Sequence, residues 1–467
     1  MDIYYAGFNG FKQVPLASNS DTLTCLTLHT KSAKVVDVSV CWNYLVVAEG
    51  EYVTKYGLVN SKPGLARLDH PPGSGEVTQL SATPRHILSV TSSGECWTHE
   101  EGKGWRRVLV ETEESRVKTP SEDTCTTVSS SLEQEKEQLV ILEKDDEKED
   151  PGKPENSSGP ENLETPIIMV KTACGDYHNL GLDTQGQAYS LPSPINVSSF
   201  PGAPALKVTD IACGKEHCML LTETGQVFSW GGGTRGQLGH GTLSSEDKPR
   251  LIMALDGMRI KKIAAGGWHS AAISEYNDLY MFGWNESGQL ALPTNLARPA
   301  ECFSAVEKLL MACCTMQAED AAVPRGDTED AEVYRKPGEE DSICQLMDPE
   351  KEGLSCYAPA ACENSNEYVM VQPVPILVNI SGKNGTENSV LDVGCGSRHT
   401  VCLTMGNNLW SFGWNKYGQL GLGDNKSRDN VCKVPLPKAI NRFSEIRTVR
   451  CGDWGTVILV HNGKKNK

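Results

Sequence analysis

The stretch that decides the fold opens with Ala212-Cys213-Gly214-Lys215-Glu216-His217 and continues through Met219-Leu220-Leu221 to a turn residue at Gly225. Beyond the turn come Val227-Phe228-Ser229-Trp230-Gly231 and Gly236-Gln237-Leu238-Gly239. The apolar runs are short, rich in β-forming residues and without helical period, which predicts strands. Gly225 supplies the positive φ that a tight hairpin needs.

The pattern recurs along the chain, and a fixed period marks a repeat architecture. Ala173-Cys174-Gly175-Asp176-Tyr177-His178, Ala264-Ala265-Gly266-Gly267-Trp268-His269 and Gly394-Cys395-Gly396-Ser397-Arg398-His399 are clear copies, with turn residues at Gly186, Asn277 and Asn407. Weaker copies are Ala82-Thr83-Pro84-Arg85-His86 with Gly94, and Cys451-Gly452-Asp453-Trp454-Gly455 with a turn expected at Gly463. The most degenerate runs from Cys41 to Gly50. Seven strand–hairpin–strand units predict an all-β fold, a seven-bladed β-propeller. Ala6-Gly7-Phe8-Asn9-Gly10-Phe11-Lys12-Gln13-Val14 aligns with Phe412-Gly413-Trp414-Asn415-Lys416-Tyr417-Gly418-Gln419-Leu420. The N-terminal strand is therefore expected to complete the C-terminal repeat and close the ring, residues 1–467 forming one domain with two insertions.

Those insertions hold the charge. The chain of 467 residues carries a net −16. Residues 108–165 hold 17 acidic and 6 basic residues, and residues 294–370 hold 16 and 6. Neither has sustained periodicity, and such charge runs favour disorder, with short helices near Leu139 and Val306–Met311 left open. The remaining 332 residues carry a net +5. An acidic chain does not suit direct nucleic-acid binding, which needs cations on phosphates. No run approaches the roughly 18 to 20 apolar residues that span a bilayer. Met1-Asp2-Ile3-Tyr4-Tyr5 lacks a secretory start. With 17 cysteines, an odd count, free thiols in a reducing compartment are expected.

These residues resemble the regulator of chromosome condensation repeat family, marked by the Cys-Gly-x-x-His, Gly-x-Val-x-x-Trp-Gly and Gly-Gln-Leu-Gly series. The resemblance covers the chain outside the insertions and implies the seven-bladed propeller. Gln226-Val227-Phe228-Ser229-Trp230-Gly231-Gly232-Gly233, Ala265-Gly266-Gly267-Trp268-His269-Ser270 and Gly283-Trp284-Asn285-Glu286-Ser287-Gly288 are similar to one small branch in particular. That resemblance implies a JmjC-domain oxygenase as partner, histone and chromatin association through it, and a link to methylation of histone H3 lysine 36. It also implies pericentromeric silencing, spindle organisation and chromosome segregation, in the nucleus or on chromosomes with the cytoplasm as a second compartment. The founding member is an exchange factor for the GTPase Ran with a basic N-terminal tail. This chain starts in the clasp strand, and its basic run is only Lys464-Lys465-Asn466-Lys467. Exchange on a Ran-like GTPase and a cytoskeletal scaffold are the alternatives to a non-enzymatic interaction module.

Candidate sites divide into architectural and functional. His178, His217, His269 and His399 recur at one repeat position, one per blade, so they are expected to pack and hydrogen-bond, not to converge on a metal. Gly175, Gly214, Gly266, Gly396 and Gly452 belong to the same motif, and Cys174, Cys213, Cys395 and Cys451 are read as small buried hydrophobes. Gly231 to Gly236 matches G-x-G-x-x-G, but that pattern counts only between a strand and a helix. Cys313, Cys314, Cys344, Cys356 and Cys362 lack zinc-type spacing. No cofactor and no metal is expected. The partner contact is assigned to residues 1–205, with Trp97 and Trp105 as natural anchors if exposed and equally readable as core; against it stands drift in tolerant repeats. The chain is expected to be monomeric.

Overall fold

The computed structural model describes residues 1–15, 20–50, 52–110, 167–195, 207–294, 368–380 and 389–463. The chain divides into two units, Met1–Leu296 with Tyr368–Lys467, and Ala297–Glu367. The second unit lies outside the described residues, as do residues 111–166, and with them the two helices left open, the five insertion cysteines and the terminal lysines.

Among the described residues of the first unit, 28 strands make seven four-stranded sheets. In chain order, blade 1 spans 37–69, blade 2 spans 77–107, blade 3 spans 169–194 and blade 4 spans 208–251. Blade 5 joins 260–284 to 371–378, blade 6 spans 390–433, and blade 7 joins 444–462 to 2–31. Each blade's first strand packs beside the next one's, and Ser444–Cys451 of blade 7 returns to Asp37–Val40 of blade 1. The ring is closed.

The local chemistry of the repeat accounts for the blades. Gly94, Gly186, Gly225, Asn277 and Asn407 all turn through positive φ, between 64° and 85°. Strand side chains alternate in direction, so each middle strand serves two neighbours. In blade 4, Cys218 and Leu220 pack toward blade 3, whereas Met219 and Leu221 pack toward blade 5. The core is accordingly seven apolar wedges, one between each pair of adjacent blades.

The clasp forms as its sequence match predicts. Asp2–Phe8 pairs antiparallel with Gly455–Asn462, and Thr22–Lys31 adds the outer strand. Asn9 Oδ1 accepts the N–H of Val14 at 2.8 Å, as Asn415 Oδ1 accepts that of Leu420 at 2.9 Å. Gln13 Oε1 accepts from Phe11 at 3.2 Å, as Gln419 Oε1 does from Tyr417 at 3.0 Å.

Two details differ from the sequence reading. Gly463 makes no left-handed turn, because its strand ends at Asn462 and the neighbour in the sheet comes from the other end of the chain. The insertions are also shorter than their charge boundaries. Val108 is buried between blades 2 and 3, its N–H bonded to Cys96 O at 2.8 Å. Thr294 is buried, and Val369 N–H returns to Pro293 O at 3.0 Å.

Candidate interaction face at the channel mouth

Each Gly-x-x-His unit is a tight turn at the inner end of a blade, its glycine N–H bonded to the histidine carbonyl, as in Gly214 to His217 at 2.8 Å and Gly266 to His269 at 2.9 Å. The histidines then tie blade to blade. His217 Nε2 lies 2.8 Å from Ser270 Oγ, His269 Nε2 3.0 Å from Thr400 Oγ1, and His399 Nε2 3.0 Å from Thr456 Oγ1. Each hydroxyl donates onward to a carbonyl of a Gly-Gln-Leu turn: Ser270 to Gln237, Thr400 to Gln289, Thr456 to Gln419. A hydroxyl has one proton to give, so it accepts from the imidazole, which fixes the Nε2–H tautomer. Nδ1 of all three has no partner. The degenerate copies substitute other chemistry at this joint. His86 Nε2 reaches Asn179 Oδ1 at 2.9 Å, the Tyr44 hydroxyl bonds Thr83 O, and Tyr5 fills the space beside Gly455. His178 is half-buried.

Burial pushes His217, His269 and His399 down to about 3. In the unfolded chain histidine titrates near 6.5. Between those values the unfolded state binds protons that the folded state refuses. Stability therefore rises with pH across this window and is lost as pH falls from about 6.5 toward 3, by about 1.4 kcal/mol per unit per histidine. We expect His269→Gln to reduce proton uptake on unfolding at pH 5 by about one, read from the pH dependence of urea-unfolding free energies. Unchanged uptake would show that His269 is not held neutral.

A cavity of about 190 Å³ lies on the ring axis, lined by the Cys-Gly turns. Cys395 is buried, whereas Cys174, Cys213 and Cys451 are half-buried along that lining. Burial raises the thiol of Cys451 to about 12 and that of Cys174 further, so neither is a ready nucleophile. Among the described residues no group of three or more His, Cys, Asp or Glu is placed to hold a metal ion. Gly231–Gly236 follows a strand and leads to another, Glu246–Leu251, without the helix a dinucleotide site requires.

The chemistry gathers at the two variable positions between Gly and His, which ring the mouth of this channel. Lys215 of blade 4 reaches Asp453 of blade 7 at 3.1 Å, and Asp453 also accepts from Ser397 of blade 6 at 2.6 Å. Blades 4 and 7 are not neighbours, so the pair spans the mouth. Burial by itself would lower the ammonium and raise the carboxyl. Asp453 and Asp176 nevertheless hold Lys215 above its ordinary value, and Lys215 with the Ser397 hydroxyl holds Asp453 below its own. The pair stays charged.

Around it runs a belt of rings. Trp42, Phe11, Phe8, Trp454, Tyr417 and Trp414 form a chain of contacts with centroids 5.1–5.7 Å apart. All six are half-buried. Arg398, 6.0 Å from the Trp414 ring and 5.0 Å from that of Trp284, continues the belt to Trp284 and Trp268, whose rings lie 5.4 Å apart. On the same rim Tyr177 is 68% exposed and Arg85 is exposed.

Trp97 and Trp105 are not part of this face. Both lie in strands of blade 2 and are half-buried, Trp105 stacked 4.0 Å from His70 and Trp97 Nε1 donating to Glu95 at 3.2 Å. Their alternation on outer strands resembles exposure in a sequence, but His70 and His99 cover Trp105.

Comparison with known proteins agrees with this architecture. The regulator of chromosome condensation (RCC1) repeat family matches at residues 172–221, 224–273 and 407–459, and a second description of the repeat at 208–237, 260–289 and 390–419. The chain is 38% identical over 280 residues to mouse "RCC1 domain-containing protein 1", covering 60% of this chain and 62% of that protein. To the human protein of that name it is 39% identical over 266 residues, covering 56% and 59%. The match thus spans about three fifths of those relatives. Yeast (Saccharomyces cerevisiae) Prp20p, described with its binding to Gsp1p and histones, superposes with a TM-score of 0.59 at 16% identity, covering 99% of this chain and 92% of that one. The chain thus carries regulator of chromosome condensation (RCC1) repeats at the matched residues, within a closed seven-bladed propeller.

Proposed function

We propose that this propeller is a non-enzymatic interaction module that docks a partner protein across its channel-mouth face. The supporting observation is the aromatic belt, six rings left half-buried beside arginines. Tyr, Trp and Arg carry most binding energy at protein interfaces. For the partner we propose a JmjC-type oxygenase acting on chromatin, with consequences for histone H3 lysine 36 methylation, pericentromeric silencing, spindle organisation and chromosome segregation. The family resemblance and the likeness to the mouse and human proteins support that choice.

Residues 1–205 contribute Phe8, Phe11, Trp42, Arg85 and Tyr177 to the face, and the rest comes from later blades. Deleting the N-terminal half would remove three blades and the clasp, so point variants test the reading better. Affinity purification from dividing cells should recover the oxygenase with the native chain and at least tenfold less of it with Trp42→Ala/Trp454→Ala, roughly 1.4 kcal/mol of lost binding. Equal recovery would remove the belt from the interface. Exchange on a Ran-like GTPase is the alternative, carried by likeness of fold. Catalytic amounts of the chain accelerating release of labelled nucleotide from Ran would establish it instead.

A further inference from the structure

Three cations close on one indole at the end of the belt. Trp268 is 7% exposed. Arg235 Cζ lies 4.8 Å from its centroid, Lys215 Nζ 5.3 Å and Arg398 Cζ 6.0 Å. Arg235 and Arg398 also flank Trp284, at 5.2 Å and 5.0 Å. Lys215 is matched by Asp453 across the mouth. Arg398 is matched less well: its side chain is 16% exposed, and its ion pair is a single Nη1 contact to Glu286 at 3.4 Å. A guanidinium has five N–H donors and prefers two parallel bonds of about 2.8 Å to one carboxylate. The same cluster holds Trp268 Nε1, buried and without an acceptor. Asp453, Glu216 and Glu286 balance the three cations in number, but the Arg398 fork meets its carboxylate through one N–H only, which leaves it able to take a second planar anion.

We propose that this cluster is the specificity pocket of the face, and that it takes an Asp or Glu side chain of a partner protein, gripped by the Arg398 fork. The proposal rests on reading the channel mouth as the docking surface. A carboxylate fits better than a phosphoryl group. Glu216, 3.5 Å from Arg235, and Glu286 already stand in the cluster, and repulsion from them grows with the second charge of a phosphate. The tryptophan walls remove water from the arginines, which strengthens a charge-assisted bond formed between them.

The test uses a display library of 12-residue peptides, panned against the full chain and counter-panned against Arg398→Gln. Peptides that depend on Arg398 should share an Asp or Glu. Changing that residue to Asn or Gln should weaken binding of the synthetic peptide tenfold or more, with Arg398→Lys falling between wild type and Arg398→Gln. If the Arg398-dependent peptides share no acidic residue, or the amide exchange costs less than tenfold, the pocket is refuted. Should Arg398→Gln melt early, the amide exchange decides alone, because it leaves the protein untouched. Peptides that ignore Arg398→Gln but are lost with Trp42→Ala/Trp454→Ala sink the pocket and leave the docking face standing. Capture of none at this face overturns both.

Discussion

Removing residues 1–31 should abolish cooperative unfolding of the propeller. The segment supplies two of the four strands of blade 7 and serves two wedges at once. Tyr4, Ala6 and Leu26 pack against blade 6, and Ile3, Tyr5, Val14 and Leu23 against blade 1. Six of these are large side chains, none more than 7% exposed. Burying such a side chain contributes about 1.5–3 kcal/mol, so the loss is on the order of 10 kcal/mol, comparable with a net stability of about 5–15 kcal/mol. Polar ties go as well, including Asn462 Nδ2 to Asp2 Oδ2 at 2.8 Å and the bridge between Cys25 and Leu422. Thermal unfolding of residues 32–467, followed by near-ultraviolet circular dichroism, should show no sharp transition, and excess peptide 1–31 should restore one. A transition within about 5 °C of the full chain's would mean that the ring holds without its clasp.

That clasp was readable in the sequence because its signal is local. Gly7, Asn9 and Gln13 repeat the spacing of Gly413, Asn415 and Gln419, and each does the same hydrogen-bonding or turning job wherever it occurs. The hairpins were readable for the same reason, since a positive φ selects Gly or Asn whatever surrounds it. Gly463 shows the limit. A glycine at the right offset makes no hairpin when the next strand arrives from the far end of the chain.

The site was far less legible. Trp414 and Asn415 stand in the sequence as marks of the repeat, and nothing within one repeat says that the Trp414, Tyr417 and Trp454 rings meet. The contacts of the Trp414 and Tyr417 rings with Trp454 cross from blade 6 to blade 7, as the Lys215–Asp453 pair crosses from blade 4, so they exist only once the ring has closed. One signal was available. The two positions between Gly and His vary among copies, yet they hold Trp42, Lys215, Trp268, Arg398, Asp453 and Trp454, too much charge and aromatic area for mere spacers. Variation inside a strict architectural motif is thus the more telling sign of a surface, whereas Trp97 and Trp105, readable either as anchors or as core, stand half-buried in blade 2.

The glycines of those turns carry the second large prediction. A Cβ on Gly175 would lie 2.3 Å from Gly214 O, one on Gly214 2.3 Å from Gly266 O, one on Gly266 2.4 Å from Gly396 O, and one on Gly396 2.5 Å from Gly452 O. Five successive blades thus touch backbone to backbone around the axis, with no side chain that could rotate away. The Cβ of Gly266→Ala would also meet His269 Cε1 at 2.5 Å, and that ring is pinned by Thr400. Blade 2 shows what a side chain there demands. It has Thr83 in the glycine's place, and Thr83 Oγ1 engages His86 Nδ1 at 3.1 Å. Alanine brings the bulk without such a bond. Overpacking costs about 1–3 kcal/mol where side chains can adjust, so a clash with fixed backbone should reach about 3 kcal/mol or more, among the larger single-site effects. Gly64, in the strand Lys62–Asp69, has nothing within 4 Å of its Cβ position and no positive φ. There Gly→Ala should be neutral or stabilise by about 0.4–1 kcal/mol by restricting the unfolded chain. Urea unfolding of the two variants side by side decides the matter: equal midpoints would mean that the blades have room to part at the axis, and the close-packed ring of glycines would not be what sets their spacing.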